Sequence, residues 1–351
     1  MNRMLKEIKE QPEILKKISQ EYVIDGKLFS WNAPKKGKII ITGMGSSLFA
    51  AYPAYLRLMD YGYPVVWIDA SELLHYGLNS IKKEDTLISI SQSGESFEVV
   101  EVIKRYPNFN RIIGFTAQTR STMGGLCSET IDILSGTEES ITSTKAYTAT
   151  LALLNLMSLS WIYAQNEISG LRSLLDQLAD EIEEVIENSE SWCNDLLDEL
   201  NIIQPSHHKV IIARGPALSS AWHGNLCFSE CTKELFAVFS AGQFRHGPYE
   251  LAVNPLLAII LSLHGKTQKL TSSLAQELIQ KEAQVLLIGE KEFSPPGKKQ
   301  RFKFLPIQCS DEYFAPMVAI VYLQIIAYYT AIRKGIEPGT AQIVSKMTLK
   351  E

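Results

Sequence analysis

The sequence predicts an α/β protein of two tandem domains, each a three-layer α/β/α sandwich around a parallel sheet. Three observations carry this. Runs of β-branched residues alternate with segments of helical period, the pattern of parallel strands covered on both faces. The pattern occurs twice, since KIIITGMGSSLFAAYPAYL from Lys38 is matched by KVIIARGPALSSAWHGNLC from Lys209. The chain of 351 residues also exceeds what one core comfortably fills.

In order along the chain, residues 1–28 read as an N-terminal helical segment opening with MNRMLKEIKE. The first domain, 29–168, holds a strand before TGMGSS (42–47) and further strands in DTLISISQSGES (85–96), RIIGFTAQ (111–118) and TIDILSG (130–136). A charged helical connector over 169–200 contains LRSLLDQLADEIEEVIENSESWCNDLLDEL. The second domain, 201–335, repeats the strands as KVIIA, PLLAIILSLHGKT (255–267), QVLLIGE (284–290) and FKFLPIQ (302–308), and 336–351 forms a C-terminal tail. The most apolar stretches, LALLNLMSLSWIYA (151–164) and MVAIVYLQIIAYYTAI (317–332), are broken by Asn155 and Gln324 and fall short of a span of roughly 20 residues, so they read as buried core helices.

A net charge of −5 gives no basic footprint for nucleic acid, and no membrane partner is expected. Five scattered cysteines and the lack of a secretory apolar region after the charged start favour a reducing cytoplasm.

In open parallel sheets, ligands sit outside the carboxyl ends of the strands, where loops meet helix N-termini. In SISQSGES, Ser91, Gln92, Ser93 and Ser96 offer hydroxyl and amide donors while Gly94 allows a tight turn before the helical FEVVEVIKRY, an arrangement suited to a phosphate monoester. TGMGSS adds Ser46 and Ser47, and EESITSTKAYT (138–148) adds Ser143, Thr144 and Lys145. Such hydroxyls most commonly cap helices, yet three hydroxyl-rich loops at the strand ends of one domain favour an anionic ligand. Neither GxGxxG nor a GxxxxGK[ST] loop is present, so a small phosphorylated metabolite is expected rather than a nucleotide.

Together SQSGES, STKAYT, GQFRHGP and the repeat resemble the double sugar-isomerase-domain (SIS) family, and within it the isomerase half of glucosamine-6-phosphate synthase and its stand-alone relatives. MLKEIKEQPEIL (4–15) and VSKMTLKE (344–351) are similar to that family's ends. The resemblance implies two tandem SIS domains, a phosphorylated sugar as substrate and no cofactor. It implies phosphate and substrate contacts by Ser46, Ser47, Ser91, Gln92, Ser93, Ser96, Ile141 and Ser143. No counterpart of the synthase's glutamine-hydrolysing domain is recognised, so glutamine-dependent synthesis is not expected.

Aldose–ketose interconversion needs ring opening, which suits a histidine, and proton transfer between C1 and C2, which suits a partly desolvated carboxylate. The resemblance assigns these roles to Glu230, in AWHGNLCFSECTKEL (221–235), and to His246, sixteen residues later in SAGQFRHGPYEL (240–251). Lys346 matches the lysine of the family's closing tail and would stabilise developing charge. A solvated helix glutamate, a turn histidine and a frayed terminal lysine are the plain alternatives. Family members are typically dimers, so a homodimer is expected with the His246 loop near the neighbouring subunit's site.

The chain departs from the synthase pattern at His223 and Cys227, where that family carries glutamate and lysine. This shifts the expectation to a deaminase converting glucosamine 6-phosphate to fructose 6-phosphate and ammonia. A deglycase for fructoselysine- or glucoselysine-type 6-phosphates and a non-catalytic sugar-phosphate-binding protein are the alternatives. His223, Cys227 and Cys231 at i, i+4 and i+8 offer at most three poorly convergent ligands, so no metal is expected. His75, His207, His208 and His264 show no partner pattern.

Overall fold

The computed structural model describes residues 2–105, 109, 111–164, 170–200, 202, 208–290, 301–341 and 343. The chain opens with α1 (Arg3–Lys9) and α2 (Gln11–Ile18). There follow β1 (Ile39–Gly43), α3 (Gly45–Ala50), α4 (Tyr52–Asp60), β2 (Val65–Asp69), α5 (Ala70–Glu72), β3 (Thr86–Ile90), α6 (Phe97–Arg105), β4 (Arg111–Thr116), α7 (Thr122–Leu126), β5 (Glu129–Asp132) and α8 (Lys145–Ile162). Helices α9 (Leu171–Glu187) and α10 (Ser189–Glu199) lead to β6 (His208–Ala213), α11 (Leu218–Thr232), β7 (Ala237–Ser240), α12 (Ala241–Phe244), β8 (Leu256–Ser262), α13 (Gln268–Gln280), β9 (Gln284–Glu290), β10 (Phe302–Ile307) and α14 (Pro316–Arg333).

Two five-stranded sheets result, ordered β2-β1-β3-β4-β5 and β7-β6-β8-β9-β10, with every pairing parallel. This is the expected fold class, and the two sheets have the same order. Central strands β3 and β8 are buried along their whole length, as near-continuous apolar runs require when helices cover both faces.

Edge strands β2 and β7 had escaped the sequence reading. Both are short and only half-buried, so they lack the uniform apolar run that marks their neighbours.

The chain folds into two compact units that are not contiguous blocks of sequence. One comprises residues 10–179 and 341–351 and the other residues 1–9 and 180–340, which divides the N-terminal segment between Lys9 and Glu10 and the connector within α9. In the first unit, Gln11 of α2 is fully buried and its Oε1 accepts a hydrogen bond from Thr148 Oγ1 of α8 at 2.5 Å.

In the second unit, α14 is long and apolar enough to cross a membrane, yet its residues from Pro316 to Tyr328 are all buried. α11 packs against it so closely that a Cβ on Gly224 would lie 2.4 Å from Leu323 Cδ1, which explains a glycine inside that helix. The apolar stretch 151–164 is likewise mostly the buried second half of α8.

Candidate functional site

In the first unit, the strand order reverses direction between β1 and β3, the place where open parallel sheets form a crevice. Register pairs Gly43 with Ile90, so the turns that follow these strands emerge side by side. Ser46 and Ser47 fall in the first turn of α3, and Ser91–Ser96 form the turn into α6.

That second turn is internally braced. Ser91 Oγ accepts the Gly94 amide at 3.1 Å and lies 2.9 Å from Ser96 Oγ, while Ser93 Oγ accepts the Glu95 amide at 3.2 Å. Gln92 gives its carbonyl to Ala117 N and Thr116 Oγ1. Gly94 sits at φ +67, and a Cβ there would fall 1.9 Å from Ser121 Oγ, so this position demands glycine twice over. Ser91 is buried, whereas Gln92, Ser93 and Ser96 are half-buried, leaving a rigid turn lined by hydroxyls, an amide and backbone N–H groups.

Carboxylates flank the turn as well. Glu95 Oε1 accepts the Thr122 amide at 2.8 Å. Glu98, in the first turn of α6, is buried, and its Oε2 accepts no hydrogen bond among the described residues.

The third loop follows β5. Ser140, Thr142 and Thr144 are buried, while Ile141 and Ser143 between them are half-exposed. Thr144 turns its hydroxyl to Glu138 at 3.2 Å, and buried Lys145 pairs with Glu10 at 2.6 Å. Neither is therefore offered to a ligand in the way the sequence suggested. Glu138 had not been singled out. Nothing in its local sequence separates it from neighbouring Glu139, which is exposed.

The second unit holds Glu230 and His246. Glu230 lies near the C-terminal end of α11, half-buried, with Oε2 shielded from solvent. His223 and Cys227 behind it are fully buried, with Cys227 Sγ 3.8 Å from His223 Nε2, and Cys231 turns to Met4 Sδ at 3.4 Å. Among the described residues no three or more His, Cys, Asp or Glu side chains gather as metal ligands.

His246 is exposed on the turn after α12, its amide donating to Gln243 O at 3.0 Å. Two contacts fix this turn. Ser240 Oγ accepts the Gln243 amide at 3.2 Å, and Arg245 reaches Glu277 of α13 through both terminal nitrogens at 2.7 and 2.8 Å. The guanidinium hydrogen bonds hold the Glu277 carboxyl below its ordinary range. Lys346 lies outside the described residues, as does His207.

His264 has a neighbour after all, since its Nδ1 is 3.4 Å from Glu290 Oε1, although both side chains are exposed. It lies in the loop after β8, the counterpart of the Ser91–Ser96 turn. There Ser262 Oγ is engaged with Ser272 Oγ at 2.8 Å, and Glu312 Oε1 takes the Lys266 amide at 3.3 Å. The Glu312 carboxylate is seated so close that a Cβ on Gly265 would lie 2.3 Å from its carbon.

A cavity of about 300 Å³ lined by His208, Lys209, Glu234, Leu235 and Leu251 opens at the amino ends of β6 and β7, away from the loops after the strands. Its Glu234 is already held by Lys209 and Lys334. All five cysteines are unbridged, and burial pushes the thiols of Cys193 and Cys309 up to about 12, which keeps them protonated.

A family model described as the SIS domain matches residues 33–160 and 202–334. Glutamine--fructose-6-phosphate aminotransferase [isomerizing] of Gloeobacter violaceus is 28% identical over 99% of this chain, which spans 58% of that relative's length. The C-terminal domain of glucosamine-fructose-6-phosphate aminotransferase from Francisella tularensis superposes with a TM-score of 0.81 at 22% identity, covering 97% of this chain and 98% of that one. Glucosamine-6-phosphate deaminase from Thermotoga maritima superposes with a TM-score of 0.70 at 20% identity, covering 98% and 99%. At these identities the superpositions establish a shared fold.

Proposed function

The chain belongs to the SIS domain family, and on that premise we propose that it is a phosphosugar isomerase acting as an amino-sugar-phosphate deaminase, turning glucosamine 6-phosphate into fructose 6-phosphate and ammonia. The observation that carries the reading is the braced turn Ser91–Ser96 at the β1/β3 switch point. Its hydroxyls and backbone N–H groups suit the many acceptor oxygens of a phosphate monoester, helped by the partial positive charge at the start of α6. Ser46, Ser47, Ile141 and Ser143 contact the same substrate in this reading.

His246 opens the ring by giving a proton to the ring oxygen as the C1 hydroxyl loses one. Glu230 then takes the proton from C2 of the open-chain amino aldose and returns it at C1, through an enolamine. The product of that transfer is an imine at C2. Water adds to it, ammonia leaves, and the ketose phosphate remains. A half-buried carboxylate with one shielded oxygen suits a group that must be basic towards carbon. Lys346 stabilises the developing oxyanion, and a homodimer is part of the same proposal.

The test is a substrate panel on the purified chain. Ammonia and fructose 6-phosphate formed together from glucosamine 6-phosphate support the reading. Release of an amino acid from a fructosamine 6-phosphate instead would make the chain a deglycase. Saturable binding with no turnover on any phosphosugar would make it a sugar-phosphate-binding protein and remove Glu230 and His246 from chemistry.

A further inference from the structure

Glu138 fastens the segment between β5 and α8 to the start of that helix. Glu138 is 5% exposed, and its Oε1 receives three donors from the start of α8: the Thr144 amide at 2.8 Å, the Ala146 amide at 3.2 Å and the Thr144 hydroxyl at 3.2 Å. Residues 138–146 are thereby closed into a ring. Within it, Ser140, Thr142 and Thr144 point into the fold and are buried, and Ile141 and Ser143 alternate with them as the half-exposed pair. The chain enters the ring under strain, since Leu134 holds a left-handed φ of +58.

The same carboxylate also answers an electrostatic question. α8 is 18 residues long, and the N–H groups of its first turn, which a helix cannot satisfy from within, favour an anion. Glu138 already fills that role. The cation next to it, Lys145, is neutralised by Glu10, so the ring as a whole carries net negative charge. A phosphate is thus repelled here, while the Ser91–Ser96 turn two strands away has hydroxyls that pair with one another and with the turn's own amides, and no carboxylate accepts its backbone N–H groups in any hydrogen bond described above.

We propose that Glu138 is a positioning and specificity-determining residue, which presents Ile141 and Ser143 to the sugar and, by occupying the N-terminus of α8, confines the substrate's phosphate to the turn before α6. The inference rests on the reading of Ser91–Ser96 as the phosphate turn. It fixes the substrate's polarity, with the dianionic end at α6 and the uncharged or cationic end at α8. An amino group at C2 fits that polarity better than a second phosphate would, so bisphosphorylated sugars should be excluded.

Calorimetric titration of the full chain with inorganic phosphate separates the two roles. The native chain and Glu138→Asp, which keeps the charge, should each bind one phosphate. Glu138→Gln, which keeps the shape, should bind two. Glu138→Asp retracts the anchor by one methylene and should raise KM for the phosphosugar about tenfold or more, with kcat changed less, as loss of a charge-assisted hydrogen bond predicts. A single phosphate site in folded Glu138→Gln together with an unaltered KM in Glu138→Asp overturns the proposal. Should Glu138→Gln fail to fold, the KM of Glu138→Asp alone decides it. Ser91→Ala acts as the independent control: if it leaves phosphate binding untouched, the phosphate turn itself is misassigned, whatever Glu138 does.

Discussion

The turns after β3 and β8 occupy the same place in two sheets of the same order, yet they are filled in opposite ways. After β3, Ser91 and Ser96 face each other across 2.9 Å and Ser93 braces the backbone, so the turn is stiff and its donors line a space. After β8, Ser262 pairs with Ser272 in the same manner, and the difference is Glu312, which sets a carboxylate against Gly265 and the Lys266 amide. In the proposed function one turn receives an outside anion, whereas the other holds a carboxylate of its own. On the proposed function, the duplicated fold divides the work, with the phosphate turn in the first unit and the acid–base groups on α11 and the turn after α12 in the second.

That contrast can be broken by experiment. The largest effect expected is on chemistry without binding: Glu230→Gln should lower turnover by about 10²–10⁴-fold, the usual contribution of a general acid–base group, with phosphate affinity within about twofold of the native chain. Continued exchange of deuterium into C1 and C2 in that variant would take Glu230 out of the reaction. Next comes binding. Ser91→Ala removes a hydroxyl that braces the turn and, in the proposed function, binds the phosphate, and should weaken phosphate by roughly 10–100-fold, in line with about 1.5–3 kcal/mol for a hydrogen bond to a charged group. Its counterpart Ser262→Ala should leave phosphate affinity unchanged, and equal losses in the two variants would erase the asymmetry.

A smaller effect is expected from Glu312→Gln, which should leave turnover intact and cost about 0.5–1.5 kcal/mol of stability in denaturant melts, the net worth of one hydrogen bond. A several-fold change in phosphate affinity there would mean that the second turn also binds. The smallest concerns the Arg245–Glu277 pair that anchors the His246 turn. Because the folded Glu277 carboxyl is held below its ordinary value of 4.5, its stabilisation is present above that pH and lost as pH falls through the lower folded value. The pair is partly exposed, so the loss should stay within about 0.2–1 kcal/mol, and Arg245→Ala should flatten that part of the stability–pH curve.

How much of this could be read beforehand follows from what kind of information each feature needs. β1, β3, β8 and β9 were legible because a strand covered on both faces must be apolar throughout, and the repeat then implied two domains of the same kind. β2 and β7 were not, since an edge strand of four or five half-buried residues leaves no such mark. The serines of the α6 turn could be named from Ser, Gln and Gly at a strand end. That Lys145 belongs to Glu10, or that Glu138 rather than Glu139 caps α8, depends on segments that meet only after folding. The division of the N-terminal segment between two units is of the same kind, because residues 1–28 read as a single helical segment.

The missing side chain at Gly224 has a mechanical consequence. With Leu323 Cδ1 where a Cβ would stand, the Leu323 side chain of α14 packs directly onto the α11 backbone, and close-packed interiors of this sort have low compressibility. Glu230 is carried on that seam. Its carboxylate can swing about its own torsions, while the helix beneath it is held by the packing of Leu323 onto Gly224.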